Sequence, residues 1–140
     1  MIMKLIALLL FSLACSTACS PDPEKVYEDT CDFLMRNQTG GECDGVVLHW
    51  GGREFRQGVM ANETSSASLG ADIPKTPRAE LWFVESQSKE LHKLPCDMGG
   101  LDRAAISKAK QCINVVFTLT KVKVIVGEKI MRHVELEDGK

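Results

Sequence analysis

The chain has 140 residues with 17 Lys and Arg against 19 Asp and Glu, a net charge of −2 at pH 7. That length suits one small domain with a real core. The near-neutral balance, with no basic patch, argues against nucleic acid as a partner, and after the first twenty residues no apolar run is long enough to cross a membrane as a helix.

Residues 1–20 read MIMKLIALLLFSLACSTACS: one charge at Lys4, an apolar run from Leu5 to Ala14, then small residues and two cysteines. A charged, an apolar and a small-residue region in that order form an export signal. The apolar run is too short to span a hydrocarbon core of ~30 Å. The stretch resembles the signal of bacterial lipoproteins, in which a cysteine after the apolar run is lipidated and becomes the first residue. Cys19 follows Ser16-Thr17-Ala18, and Cys15 follows Ser12-Leu13-Ala14. Lipid on Cys19 leaves four cysteines, an even set suited to disulfides in an oxidising compartment, so Cys19 is the expected anchor and Cys15 the alternative. Cleavage after Ala18 without lipid would instead give a soluble secreted protein. The organisation expected is a signal peptide over 1–18, a tether over 19–22 and one domain over 23–140.

Asp22-Pro23-Glu24 reads as a helix start, with a cap, a first-turn proline and an acid at the positive end of the dipole. Val26, Tyr27, Thr30, Cys31 and Leu34 then repeat at helical spacing, which predicts a helix over 23–36. Asn37-Gln38-Thr39 and Asn62-Glu63-Thr64 match the N-glycosylation acceptor pattern. They would mark polar loops in a bacterial protein and glycan sites in a eukaryotic secreted one.

GVVLHW over 45–50 alternates Val46, Leu48 and Trp50 against Val47 and His49, and REFRQGVM follows Gly51-Gly52. Together they predict a tight hairpin with Phe55 and Val59 inward and His49 exposed. Residues 61–78, rich in Ser, Ala, Gly and Pro, read as a long loop and as the expected partner-contacting region. Residues 79–86 predict a central strand with Leu81, Trp82, Phe83 and Val84 covered on both faces. A helical turn over 88–94 is stopped by Pro95. Residues 97–100 are a turn, and a second helix runs over 101–113 with Ala105, Ile106, Ala109, Cys112 and Ile113 on one stripe. From Asn114 onward VVFTLTKVKVIV is a strong strand signal. Its apolar parity changes between Phe117, Leu119 and Val122, Val124, Val126, which predicts a bulge or bend near Thr120-Lys121. Residues 129–137 would return as a last strand with His133 exposed.

The whole predicts an α+β fold: a mostly antiparallel sheet of about five strands with two helices packed on one face, stapled by disulfides. Pairing the helical cysteines and the loop cysteines gives Cys31–Cys112 and Cys43–Cys96, with Cys31–Cys43 and Cys96–Cys112 as the alternative. No metal site is expected, since His92 with Cys96 and Cys43 with His49 lack ligand spacing. No catalytic residue or cofactor is assigned: nucleophile-elbow, zinc-helix and phosphate-loop motifs are missing. Asp97, Asp102, Glu85 and Glu80 are acids whose spacing alone pairs none of them. The expected protein is therefore a non-enzymatic lipoprotein on the periplasmic side of a bacterial membrane, the outer membrane above all, held there by its lipid. Its expected partner is an envelope or exported protein, engaged as an assembly or pilot factor, or alternatively as an inhibitor or immunity protein against an exported hydrolase. The order of anchor, small sheet, cysteine, helix and terminal hairpin resembles that of secretin-pilot lipoproteins in layout.

Overall fold

The computed structural model describes residues 27–136. The export signal, Cys15 and Cys19, the tether, the helix start at Asp22-Pro23 and the last four residues lie outside them.

The described chain is a β-sandwich. Its elements are β1 (Tyr27–Asn37), β2 (Cys43–Trp50), β3 (Arg53–Met60), β4 (Ser65–Pro74), β5 (Arg78–Glu85), β6 (Leu91–Asp97), the helix α1 (Arg103–Lys108), β7 (Cys112–Phe117) and β8 (Val122–Gly127). One sheet has the order β4-β1-β7-β8 and the other β3-β2-β5-β6. All pairings are antiparallel except β1 with β7, which run parallel. The α+β expectation is thus overturned: eight strands form two sheets, and the helix has six residues.

The first helix expected is the central strand β1. Cys31, Phe33 and Met35 face the other sheet, and Leu34 and Arg36 are buried on the opposite face. A strand covered on both faces carries an unbroken apolar run, and such a run also satisfies a helical spacing at a few positions. The second helix stops after Lys108 because Lys110 takes a left-handed backbone, φ 52°, and the β-branched CINVVF is drawn into the sheet as β7. The supposed loop 61–78 contains β4, an edge strand with β1 as its neighbour, so few of its residues need be apolar. The helical turn expected over 88–94 is replaced by β6, also an edge strand, where Pro95 costs no ladder hydrogen bond.

The hairpin of β2 and β3 is as expected. Gly51 and Gly52 turn it with φ of 58° and 78°, the positive pair that a two-residue turn requires. A Cβ on Gly51 would also collide with the ring of Pro74. Phe55 points inward, but Val59 is exposed. Between the pairs Val47↔Arg56 and Val46↔Gly58 the register slips by one residue on β3. This bulge, with Gly58 at φ 69°, reverses the parity and sends Met60 inward instead of Val59. The parity change near Thr120 is no bulge but a full reversal. Thr118 N–H donates to the Lys121 carbonyl at 2.9 Å, and Phe117 pairs with Val122 across a tight hairpin.

Between the sheets Phe33 meets Phe55 and Phe83 meets Phe117, ring centroids 5.3 and 5.1 Å apart. The far face of β1 and β7 is covered differently. Residues 128–136, expected to be a strand, lie across it as a strap. Asn114 holds Glu128 and Ile130. Gln38 clasps the backbone of Val134, its Nε2 donating to the carbonyl at 2.6 Å and its Oε1 accepting from the N–H at 2.7 Å, and Lys121 Nζ reaches the Leu136 carbonyl. Leu34, Asn114 and Val116 have no exposed surface as a result. Arg36, 3% exposed beneath the same face, is neutralised by Glu63 at 3.0 Å, and Glu63 also meets His133 at 3.2 Å.

Both expected disulfides are absent, and the fold explains why. Cys31, Cys43, Cys96 and Cys112 are buried thiols. Cys31 and Cys112 lie on neighbouring strands, but Cys31 faces the interior and Cys112 the strap side. Cys43 pairs opposite Glu85 and Cys96 opposite Ala79. Six strand positions separate those partners, about 20 Å, well beyond the ~7 Å a disulfide allows between Cα atoms. The alternative pairs, Cys31–Cys43 and Cys96–Cys112, are absent too. Cysteine parity therefore does not discriminate Cys19 from Cys15.

Burial pushes the Cys96 thiol up to about 12, with Asp97 adding to it, and burial followed by Asp32 pushes Cys112 to about 11. Cys43 is raised as well, by burial first. The thiolate is the reactive form, so these cysteines are inert while the fold is intact. Native protein at pH 8 is expected to leave Cys96 and Cys112 unmodified by iodoacetamide, and unfolding in urea to expose both, as mass spectrometry would record. The same shifts set a pH dependence. The fold retains these protons where the unfolded chain gives them up, so their contribution is intact below pH 9 and declines as pH rises from 9 toward 12.

Candidate functional site

The outward face of the β3-β2-β5-β6 sheet carries a cluster of charged and aromatic side chains. Antiparallel register sets the side chains in rows. Glu54, His49, Glu80 and Pro95 are successive cross-strand partners, and Arg56, Val47, Trp82 and Lys93 form the adjoining row. Cross-strand partners on one face stand within ~5.5 Å, so the rows bring together residues far apart in sequence.

Trp82 is the centre. Its neighbours Leu81 and Phe83 fill the core, and strand alternation turns Trp82 the other way. The expectation that Leu81, Trp82, Phe83 and Val84 are all covered thus holds for Leu81 and Phe83, while Trp82 and Val84 are partly exposed. Lys93 Nζ sits 3.9 Å from the centroid of the Trp82 ring, a cation–π contact. The His49 ring packs 4.3 Å from it at 52°. The indole N–H donates to the Glu80 carboxylate.

His49, expected to be exposed, is half-buried. Its Nδ1 faces Glu54 at 3.7 Å. Its Nε2 is buried and has no hydrogen-bond partner among the described residues. Beside it opens a shallow groove of about 780 Å³, bordered by His49, Pro77, Arg78, Glu80, Pro95 and Asp97. Arg78 brings a cation, and Glu80 and Asp97 bring anions. Asp97 Oδ1 is partly engaged by the Gly99 N–H at 2.8 Å. Cys96 also borders the groove, but its thiol is held protonated by burial. The groove therefore offers charged donors and acceptors, proline surface and a nearby aromatic face, a combination that suits recognition.

Of the acids noted in the sequence, Glu80 and Asp97 meet at this groove. Asp102 instead caps α1, accepting from the Ala105 N–H at 3.1 Å, and Glu85 stands at the far end of β5. The proposed partner-contacting stretch 61–78 supplies only Pro77 and Arg78. The histidine–cysteine pairs do not converge. His92 and Cys96 are about 13 Å apart along one strand, and Cys43 and His49 point to opposite faces. Asn37 is buried: its Nδ2 donates to the carbonyls of Gly41, Met60 and Ala61, and its Oδ1 accepts from Thr39. In the folded protein it organises a loop and has no surface for a glycan. Asn62 Oδ1 accepts from the Gly40 N–H. Sequence reasoning reached Arg78 only as the last residue of the 61–78 stretch, and it missed Trp82 and Lys93 as surface groups. The signal that locates Trp82 is the alternation within LWFV, once Leu81 and Phe83 are taken as the inward pair.

No protein-family model matches the chain. In sequence it is similar to the protein nucleotidyltransferase YdiU of Clostridium botulinum (strain Okra / Type B1), 30% identical over 117 residues. That match covers 77% of this chain but 23% of the relative, so the chain spans about a quarter of the length of the curated protein it matches. In structure it is similar to an NMR structure of a protein from Eubacterium rectale, at 17% identity and a TM-score of 0.48, over 79% of this chain and 96% of that one.

Proposed function

We propose that the protein is a non-enzymatic binding module, exported and tethered to the periplasmic face of a bacterial membrane through lipid on Cys19, that holds a protein partner on the outward face of the β3-β2-β5-β6 sheet. The observation that carries the reading is the groove beside His49 and Trp82, where Arg78, Glu80 and Asp97 alternate in charge and a buried imidazole nitrogen has no intramolecular partner. The large apolar side chains around it are committed to the core. Among the described residues the far face of β1 and β7 in the opposite sheet is covered by the strap, whereas the groove face carries no such cover. Charge that alternates over a short distance fixes orientation and register in a complex more than it adds affinity. The export reading rests on residues 1–20.

The test joins both parts in one experiment on intact cells. A photo-crosslinking residue at position 78 is expected to give one discrete protein adduct in the membrane fraction, and the same residue at position 123 on the other sheet to give none. Radiolabelled palmitate is expected in the wild type and to be lost in Cys19→Ala. Adducts of equal yield from both positions would overturn the binding face, and label retained in Cys19→Ala would overturn the anchor.

A further inference from the structure

At the far end of the sandwich from the groove, β5 and β6 are joined by the turn at residues 86–90, and three ligating side chains converge there. Glu85 ends β5, Glu90 closes the turn, and His92 follows on β6. One ligand atom from each lies within 4.8 Å of the others. We propose that Glu85, Glu90 and His92 bind a divalent transition metal, zinc by donor type.

The distances favour coordination over hydrogen bonding. His92 Nε2 stands 3.5 Å from Glu85 Oε2 and 4.0 Å from Glu90 Oε2. Hydrogen bonds from nitrogen to oxygen are shorter, 2.7–3.2 Å, and this nitrogen is buried with no hydrogen-bond partner among the described residues. Two ligands of a tetrahedral zinc, each ~2.0–2.1 Å from the metal, lie about 3.4 Å apart. His92 thus stands at nearly that spacing from Glu85 and somewhat farther from Glu90, whose exposed side chain can close the difference. The histidine is also held in place. Its ring stacks on Phe83, its cross-strand partner, with centroids 4.9 Å apart and planes 10° from parallel. Phe83 is itself locked in the core against Phe117. A ligand whose ring is fixed by packing loses little freedom on binding. One imidazole with two carboxylates suits zinc or its neighbours in the first row, whereas calcium and magnesium take oxygen ligands throughout. Glu90 is 69% exposed and Glu85 26%, so the site opens to solvent and leaves a coordination position for water or for a donor from another molecule.

Three residues from one turn and its flanking strands need no long-range assembly, yet spacing in sequence hides them. Glu85 and His92 lie seven apart and meet because β5 and β6 pair.

Isothermal titration of zinc chloride into the protein at pH 7.5 is the test. One saturable site per chain is expected. His92→Gln and Glu85→Gln should each weaken it about tenfold or more, Glu90→Gln should weaken it less, and Cys96→Ser should leave it unchanged. Zinc should also shift the His92 Nε2 resonance of the wild-type protein, a readout that does not depend on any variant folding. Absence of saturable uptake, a site that survives His92→Gln, or an unmoved Nε2 resonance would overturn the proposal.

Discussion

Replacing Asn114 with alanine is expected to destabilise the protein by about 2–4 kcal/mol and to release residues 128–136 from the sheet they cover. Asn114 has no exposed surface. Its Nδ2 donates to the carbonyls of Ile125 and Glu128, at 3.0 and 2.9 Å, with a longer contact to Cys112, and its Oδ1 accepts from the Ile130 N–H at 2.8 Å. One side chain thus ties β7 to its neighbour strand and to the start of the strap. Alanine leaves a buried N–H and buried carbonyls without partners, and such a loss costs more than the net value of the hydrogen bonds removed. Hydrogen exchange would follow the strap directly, with protection at 128–136 lost in the variant while β2 and β5 keep theirs. Unchanged exchange over 128–136 would show that Gln38 and Lys121 suffice to hold the strap.

Trp50→Ala is expected to cost about 3–5 kcal/mol, a large share of the 5–15 kcal/mol that stabilises a typical domain. Trp50 is 1% exposed, lies against Phe55 with centroids 6.1 Å apart, and donates its indole N–H to the Thr76 carbonyl at 2.8 Å. Alanine removes the largest fully buried side chain and strands that carbonyl. The chain has two tryptophans, so Trp82 fluorescence in the variant reports unfolding without interference, and the urea midpoint should fall well below that of the wild type. Trp50→Phe retains most of the volume and should lose less. A midpoint within about 1 kcal/mol of wild type in Trp50→Ala would mean that the sheets close over the cavity.

The two results probe the parts of the fold that were least and most legible. Trp50 sits in the β2–β3 hairpin, where period-two alternation and Gly51-Gly52 act within eighteen residues, and the inward set Val46, Leu48 and Trp50 reads off directly. Asn114 was read only as the first residue of a strand. Its role depends on a strap that returns across the sheet, and no local pattern announces that. The candidate groove was half legible: His49, Glu80 and Asp97 were noted singly, while Arg78, Trp82 and Lys93 join them only through the register of three strands.

The sequence by itself determined the elements whose signals are local: the hairpin turn, the alternation of β2, a strand through Leu81 and Phe83 and the β-rich character of 115–126. Only the tertiary structure decided that residues 27–37 are a strand, that 65–74 form a sheet edge, that the cysteines stay apart and that Glu85 meets His92. The physical reason is shared. A strand obtains its hydrogen bonds from distant chain, so a segment such as β1, apolar on both faces, or β4, scarcely apolar at all, takes its conformation from the partners β4–β1–β7 supply and not from its own spacing.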